Sequence, residues 1–340
     1  MSASLQPSTV LVTGGSGFIA GWIVVALLNA GHDVRTTVRK LAREADLRAT
    51  IGRHAPTDRL SFHEADLLSG AGWDAAAQQA GSVIHVASPM PVREYKTQDL
   101  VKPAREGVRR VLEAAQRAGI RHVVMTSSTV AAGSKSGNGV SDESVWTDTT
   151  DPRLGPYARS KTLAERDAWE LAQASNGALT LTTILPGMVQ GPVLGQPISG
   201  SLELPLRMLT GKLPLLPRIS FAGVEVADLA ELHIRALSDP AAQGQRIIAA
   251  ERSLWLREMA TLLKARFGER AGKVSTREAP DWLVRTIGLV NADARFAAPD
   301  LGKQRSYSSK RAQALLGRAL RSTEDAFSAA AQSLITEGLV

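Results

Sequence analysis

The chain has three tyrosines, Tyr95, Tyr157 and Tyr307, and only Tyr157 is followed four residues on by a lysine, Lys161. On a helix that spacing puts both side chains on one face, within reach of each other. A free phenol ionises at about 10, a poor match to neutral pH, and a nearby ammonium lowers that value by favouring the phenolate. Such a pair can give a proton to an oxygen atom or take one from it. A serine pair, Ser127-Ser128, lies upstream, and either hydroxyl could hold the reacting oxygen beside the phenol. A second cluster sits near the N-terminus, Thr13-Gly14-Gly15-Ser16-Gly17-Phe18-Ile19-Ala20. Gly15, Gly17 and Ala20 fit the G-x-G-x-x-G/A form, in which small residues let backbone N–H groups approach a pyrophosphate at a helix N-terminus. A dinucleotide carrying hydride, with a phenol carrying a proton, amounts to carbonyl reduction or its reverse.

These groups need a scaffold that gathers them, and the hydrophobic pattern supplies one. Thr9 to Val12 reads as a buried strand, the glycine turn follows, and Trp22 to Leu28 reads as a buried helix ended by Gly31. Val34 to Val38, Leu60 to Glu64, Ser82 to Ala87, His122 to Thr126, Leu179 to Leu185 and Arg246 to Ala250 read as further strands. Helical patterns fall at 99–118 and 157–174, and the Gly-, Ser-, Asp- and Thr-rich segment 133–156 reads as a loop. This alternation predicts an α/β fold, a doubly wound parallel sheet of the Rossmann type. The dinucleotide-binding domain is expected over 1–190, with 222–250 returning to it. Residues 191–221 and 251–340 are expected to form a smaller, mostly helical substrate lobe over the C-terminal edge of the sheet.

Arg39 and Lys40 close the second strand, where an acidic residue would hold the ribose 2′-hydroxyl of NAD; two cations there suit the 2′-phosphate of NADP(H). Asp33 lies at the wrong end of that strand. Asp66 reads either as an acceptor for the adenine amino group or as a helix cap.

Composition narrows the alternatives. Of 340 residues, 44% are hydrophobic and 21% charged, which is ordinary for a globular protein. There is no cysteine, so thiolate nucleophiles, disulfides and cysteine-based zinc sites are excluded. The six histidines show no metal-ligand spacing, and no metal is expected. Net charge is +7, but the basic residues are dispersed and aromatics make up only 4%, so no nucleic-acid partner is expected. No secretory signal or membrane span is visible, which predicts a cytoplasmic enzyme. The expected partner is a small carbonyl or alcohol substrate, and the oligomeric state is open between monomer and homodimer.

As an ordered set these residues resemble the extended short-chain dehydrogenases/reductases. The resemblance is carried by the glycine loop, Thr37-Val38-Arg39, Asp66-Leu67, His85-Val86-Ala87-Ser88-Pro89, Thr126-Ser127-Ser128, Tyr157-x-x-Ser160-Lys161 and Pro186-Gly187-x-x-x-Gly191-Pro192. It covers about the first 230 residues and is weaker beyond them. Within the family it is similar to the branch holding dihydroflavonol 4-reductase, cinnamoyl-CoA reductase and microbial aldehyde and ketone reductases. The resemblance implies a Ser-Tyr-Lys triad on Ser128, Tyr157 and Lys161, with Ser127 the competitor for the serine. It implies an NADP(H) site at Gly14, Gly17, Phe18, Ile19, Arg39, Lys40, Asp66, Leu67, Val86, Ala87, Ser88, Thr126, Tyr157 and Lys161. It also implies nicotinamide-side contacts at Pro186, Gly187 and Val189, and substrate contacts at Ser88, Met90 and Thr129. Ala20 in the third glycine position matches this branch better than the sugar-nucleotide epimerases. In the flavonoid reductases an asparagine contacts the flavonoid near the position of Gly133 here, which weakens a flavonoid assignment.

The leading expectation is an NADPH-dependent reductase of aldehydes or ketones. A sugar-nucleotide epimerase or dehydratase with bound NAD would use the same triad and could recruit Arg207, Lys212 and Arg218 for a diphosphate. A non-catalytic NADP-binding protein is the third class, against which the intact triad argues.

Overall fold

In the computed structural model, residues 8–89, 100–133, 139–195, 198 and 200–340 are described, with the side chains of 292, 293 and 296 left aside. The strands are β1 Thr9–Thr13, β2 Asp33–Val38, β3 Leu60–Glu64, β4 Ser82–His85, β5 His122–Thr126, β6 Val140–Ser141, β7 Thr180–Pro186, β8 Met188–Gln190, β9 Ser220–Glu225, β10 Arg246–Ala249, β11 Ser253–Trp255 and β12 Ser306–Tyr307. The helices are α1 Phe18–Asn29, α2 Glu44–Gly52, α3 Trp73–Ala77, α4 Val101–Arg117, α5 Pro156–Ala174, α6 Glu203–Leu209, α7 Val226–Ser238, α8 Leu256–Phe267, α9 Asp281–Ile287, α10 Ala292–Ala297, α11 Lys310–Leu316 and α12 Thr323–Thr336.

Seven strands form one parallel sheet in the order β10-β7-β5-β4-β1-β2-β3. This is the doubly wound α/β fold. The chain runs outward from β1 in both directions, so the gap between β1 and β4 is the topological switch point, where such sheets bind ligands at their strand C-termini. The strands are near-continuous apolar runs because both faces are covered. On one face α1, α7 and α11 pack through Ile23, Val24, Leu27, Leu229, Leu232 and Leu316. On the other, α3, α4 and α5 pack through Trp73, Val111, Leu112, Ala164 and Ala168. The alanines of α5 let that helix approach the sheet closely, which brings its polar face within bonding distance of the strand ends.

A second body sits beyond the sheet. Its core joins Val193, Leu209, Leu216, Met259, Leu263 and Phe327 from α6, α8, α12 and adjoining segments. A separate three-stranded sheet, β11-β9-β8, belongs to it. Ser220–Glu225 enters this small sheet rather than the large one, so the return to the large sheet begins at α7. Segment 133–156 is not all loop: Val140–Ser141 pairs in parallel with Ser306–Tyr307, two strands too short to leave an alternating pattern. Segment 191–221 contains helix α6. In addition, Ala312, Leu316 and Leu320 pack into the core of the large sheet, although they lie within 251–340.

Among the described residues, no helix is long and apolar enough to cross a membrane.

Candidate active site

The strand register builds one row across the sheet. Thr13 pairs with His85, His85 with Met125, Met125 with Thr183, and Thr183 with Arg246. The segments leaving β1, β4, β5 and β7 at and just beyond this row carry most of the candidate residues. The fold therefore gathers the glycine loop, Val86-Ala87-Ser88, Ser127-Ser128 and Pro186-Gly187 at one edge.

At the glycine loop, Gly14 takes φ +78°, and an added Cβ would lie 3.1 Å from Ala87. The loop is tied to β2 by the Gly14 N–H, which donates to Thr37 Oγ1 at 2.9 Å, and the Gly15 N–H, which donates to the Thr37 carbonyl at 2.9 Å. Gly17 is the N-cap of α1, no side chain caps that helix, and its first turn holds no acid. Phe18, Ile19 and Ala20 thus open the helix with N–H groups free of any side-chain acceptor. Arg39 and Lys40 follow β2 and are exposed. A narrow backbone cradle, an uncapped helix N-terminus and two exposed cations together fit the diphosphate and 2′-phosphate of NADP(H).

Thr13 fastens β1 to β4. Its hydroxyl oxygen accepts from the Val86 and Ala87 N–H groups, each at 3.0 Å, leaving its proton for His85 Nδ1 at 2.8 Å. Burial, and then the charge of Lys161, push the His85 pKa down to about 3, so this ring is a neutral acceptor. Asp66 does not cap a helix. Its carboxylate accepts from the Leu68 N–H at 2.9 Å in a local turn, while Gly72 caps α3. The Leu67 carbonyl accepts from Arg110.

Helix α5 begins at Pro156, a residue suited to a first turn, and delivers Tyr157 and Lys161 on one face. Tyr157 is half-buried and Lys161 buried. The Lys161 ammonium donates to the Thr126 carbonyl at 3.1 Å and to Ser88 Oγ at 3.5 Å. Burial pulls its pKa down to about 8, against the opposing charge of Glu165. Burial likewise pushes the Tyr157 phenol up, and a hydrogen bond from Ser128 works against that rise. The two serines are told apart by their partners. Ser127 donates to Glu165 Oε2 at 2.6 Å, so its hydroxyl is committed away from the phenol. Ser128, in an extended conformation, caps the short turn Thr129–Ala132 and meets Tyr157.

Thr129 is buried, and its hydroxyl opposes the rise that burial gives the Tyr307 phenol's pKa. Pro186 ends β7. Gly187 follows with its N–H donating to the Ala249 carbonyl at 2.9 Å, and a Cβ there would lie 2.2 Å from the Ala222 carbonyl oxygen. Val189 is buried within β8. Met90 lies outside the described residues.

Three side chains at this edge escaped the sequence reading. Glu165 is fully buried and accepts from Ser127, from Thr183 Oγ1 at 2.8 Å and from Arg246 Nε at 2.8 Å. Arg246 lies 3.7 Å over the Trp146 ring, and its Nη1 donates to the Glu143 carbonyl at 2.7 Å and the Val145 carbonyl at 2.8 Å. Tyr307 comes from β12. Glu165 carried a signal, one turn beyond Lys161 on the same helix face. Arg246 and Tyr307 carried none, because strand register and a two-residue pairing bring them in.

A sheet with this switch point, an open helix N-terminus beneath it and a Ser-Tyr-Lys group beside it define a nicotinamide-dinucleotide enzyme of the Rossmann class. Residues 10–249 match the profile of the NAD dependent epimerase/dehydratase family, and the chain belongs to that family, the extended short-chain dehydrogenases/reductases. Among its relatives, dihydroflavonol 4-reductase of Zea mays is 34% identical over 275 residues, covering 78% of this chain and 76% of that protein. Cinnamoyl-CoA reductase 2 of Arabidopsis thaliana is 34% identical over 267 residues, covering 76% of this chain and 78% of that one. Among solved structures, Gre2 of Candida albicans in complex with NADPH superposes with a TM-score of 0.81 at 25% identity, covering 97% of this chain and 99% of that one. The protein is an oxidoreductase.

Proposed function

We propose that this protein reduces an aldehyde or ketone to the alcohol, with NADPH as the reductant. The observation that carries the reading is Lys161, buried on α5 one turn beyond Tyr157 and bonded to Thr126 and Ser88 at the sheet edge that holds the glycine loop, with Ser128 opposing the rise in the Tyr157 phenol's pKa. NADPH supplies the hydride when bound. Gly14, Gly17, Phe18 and Ile19 would hold its diphosphate, and Arg39 and Lys40 its 2′-phosphate. Ser128 orients the carbonyl oxygen by donating a hydrogen bond to it, and Tyr157 Oη gives that oxygen its proton. Lys161, anchored on Thr126 and Ser88, holds positive charge beside the phenol and favours the phenolate left behind. In oxidation the same phenolate takes the proton back.

The similarity to dihydroflavonol and cinnamoyl-CoA reductases and to NADPH-bound Gre2 supports both the cofactor and the reaction class. Gly133, near the position where the flavonoid reductases carry an amide side chain, argues against a flavonoid substrate. The test is a rate screen over aldehydes, ketones, β-keto esters and flavanonols with NADPH and with NADH. Turnover with several simple carbonyls, faster with NADPH, is the expected result. No turnover with any carbonyl, together with NAD retained through purification, would overturn it in favour of an epimerase.

A further inference from the structure

Glu165 and Arg246 form an ion pair buried inside the sheet's C-terminal edge, with relative exposures of 0% and 7%. Such a pair costs desolvation and is often no more stabilising than apolar residues of the same size, so packing alone gives weak reason for it. Its bonds reach outward in a definite pattern. One carboxylate oxygen accepts from Ser127 at 2.6 Å, and the other from Thr183 at 2.8 Å and Arg246 at 2.8 Å. Arg246 in turn bonds the carbonyls of Glu143, Val145 and Ala131. The carboxylate thus ties α5 to the turn after β5, to β7 and to β10. It sits one helical turn from Lys161 and two from Tyr157.

We propose that Glu165, held by Arg246, is a positioning residue: by fixing Ser127 it sets the backbone that presents Ser128 to the Tyr157 phenol. Adjacent residues of an extended segment point to opposite sides. Ser127 locked onto Glu165 therefore leaves Ser128 turned the other way, toward the site. Without that lock the two hydroxyls become interchangeable by a small backbone rotation, and the serine bond to the phenol is lost for part of the time. The proposal rests on the carbonyl-reductase reading for its effect on rate, but its effect on the phenol does not need turnover.

The titratable and charged groups packed against this centre are Lys161 and Glu165 from α5, His85 from β4, Arg246 from β10 and the buried Glu143, whose carboxylate accepts from the Ile248 N–H of β10. Two variants separate positioning from folding. Ser127→Ala cuts only the link between the carboxylate and the turn and leaves the ion pair intact. The double variant Glu165→Gln/Arg246→Met removes both buried charges together. Phenolate absorbance is titrated in the cofactor-free proteins, each against its own Tyr157→Phe derivative so that Tyr95 and Tyr307 cancel. Positioning predicts that Tyr157 titrates at higher pH in Ser127→Ala, because the bond from Ser128 that favours the phenolate is weakened. It also predicts kcat lower by about 10²-fold, as for small misplacements of reacting groups, with NADPH affinity within about twofold of the parent. A folded double variant follows the same course. Ser127→Ala with parental phenol titration and kcat overturns the proposal, whether or not the double variant folds. If the parent reduces no carbonyl, the function reading fails, while the absorbance titration still decides the role of Glu165.

Discussion

Burial moves the two ionisations at the site apart, with Tyr157 pushed up and Lys161 brought down to about 8. The consequence for pH is specific. As pH rises through about 8, Lys161 loses its charge, and with it the attraction that favours the phenolate. The rate of carbonyl reduction is expected to fall along an alkaline limb near that value, measured as kcat against pH with NADPH saturating. Lys161→Met is expected to cost kcat about 10²-fold or more and to leave no such limb. Ser128→Ala is expected to cost about 10²- to 10³-fold in kcat, the loss typical of one donor at a developing oxyanion. At this scale the sequence was informative where a spacing sufficed. Tyr157 and Lys161 stand one turn apart and needed only a helix. The choice between Ser127 and Ser128 needed a third party, because it depends on Glu165 claiming one hydroxyl, 38 residues away in sequence.

Among the elements, α1 and β2 carry the cofactor reading. Arg39 and Lys40 follow the end of β2 and are exposed, within reach of solvent phosphate. Arg39→Asp/Lys40→Ala is expected to raise KM for NADPH by an order of magnitude or more while leaving that for NADH nearly unchanged, since only NADPH carries the 2′-phosphate. The glycine loop, all seven strands of the large sheet and helices α4 and α5 were legible from apolar runs and their punctuation. Boundaries differ by a residue or two, and by four at the start of α1, where Phe18 to Gly21 continue the helix back to its glycine cap. What could not be read was non-local. β6 and β12 are two residues each and lie more than 160 positions apart, so neither has a pattern of its own. β9 was not read as a strand, because its partners, β8 and β11, are short and form a separate small sheet with it. Arg246 was read only as the start of a strand, and the register opposite Thr183 is what places it on Glu165.

For the whole molecule, two buried histidines set a limit in acid. Burial, aided by Lys161 at His85, lowers His85 to about 3, and burial lowers His233 to about 4, from an ordinary value of 6.5. Below about 6.5 the unfolded chain binds protons at both that the folded chain refuses, so stability is lost as pH falls toward 4. The slope is expected to rise to about 1.4 kcal/mol per pH unit for each histidine once the pH is well below 6.5, read from urea unfolding between pH 6 and pH 5. The two bodies meet at the strand ends where cofactor and substrate are proposed to bind, so ligation is expected to stabilise the fold as a unit. NADPH at about a hundred times its Kd should add about 2.7 kcal/mol, seen as a rise in Tm larger than that given by equal NADH. The central claim is that Tyr157 delivers the proton, and its most direct measurement is the Tyr157→Phe variant assayed for NADPH oxidation with the best carbonyl substrate of the parent, alongside NADPH binding. Binding at parental affinity with turnover reduced to background is the predicted result; turnover within tenfold of the parent would contradict it.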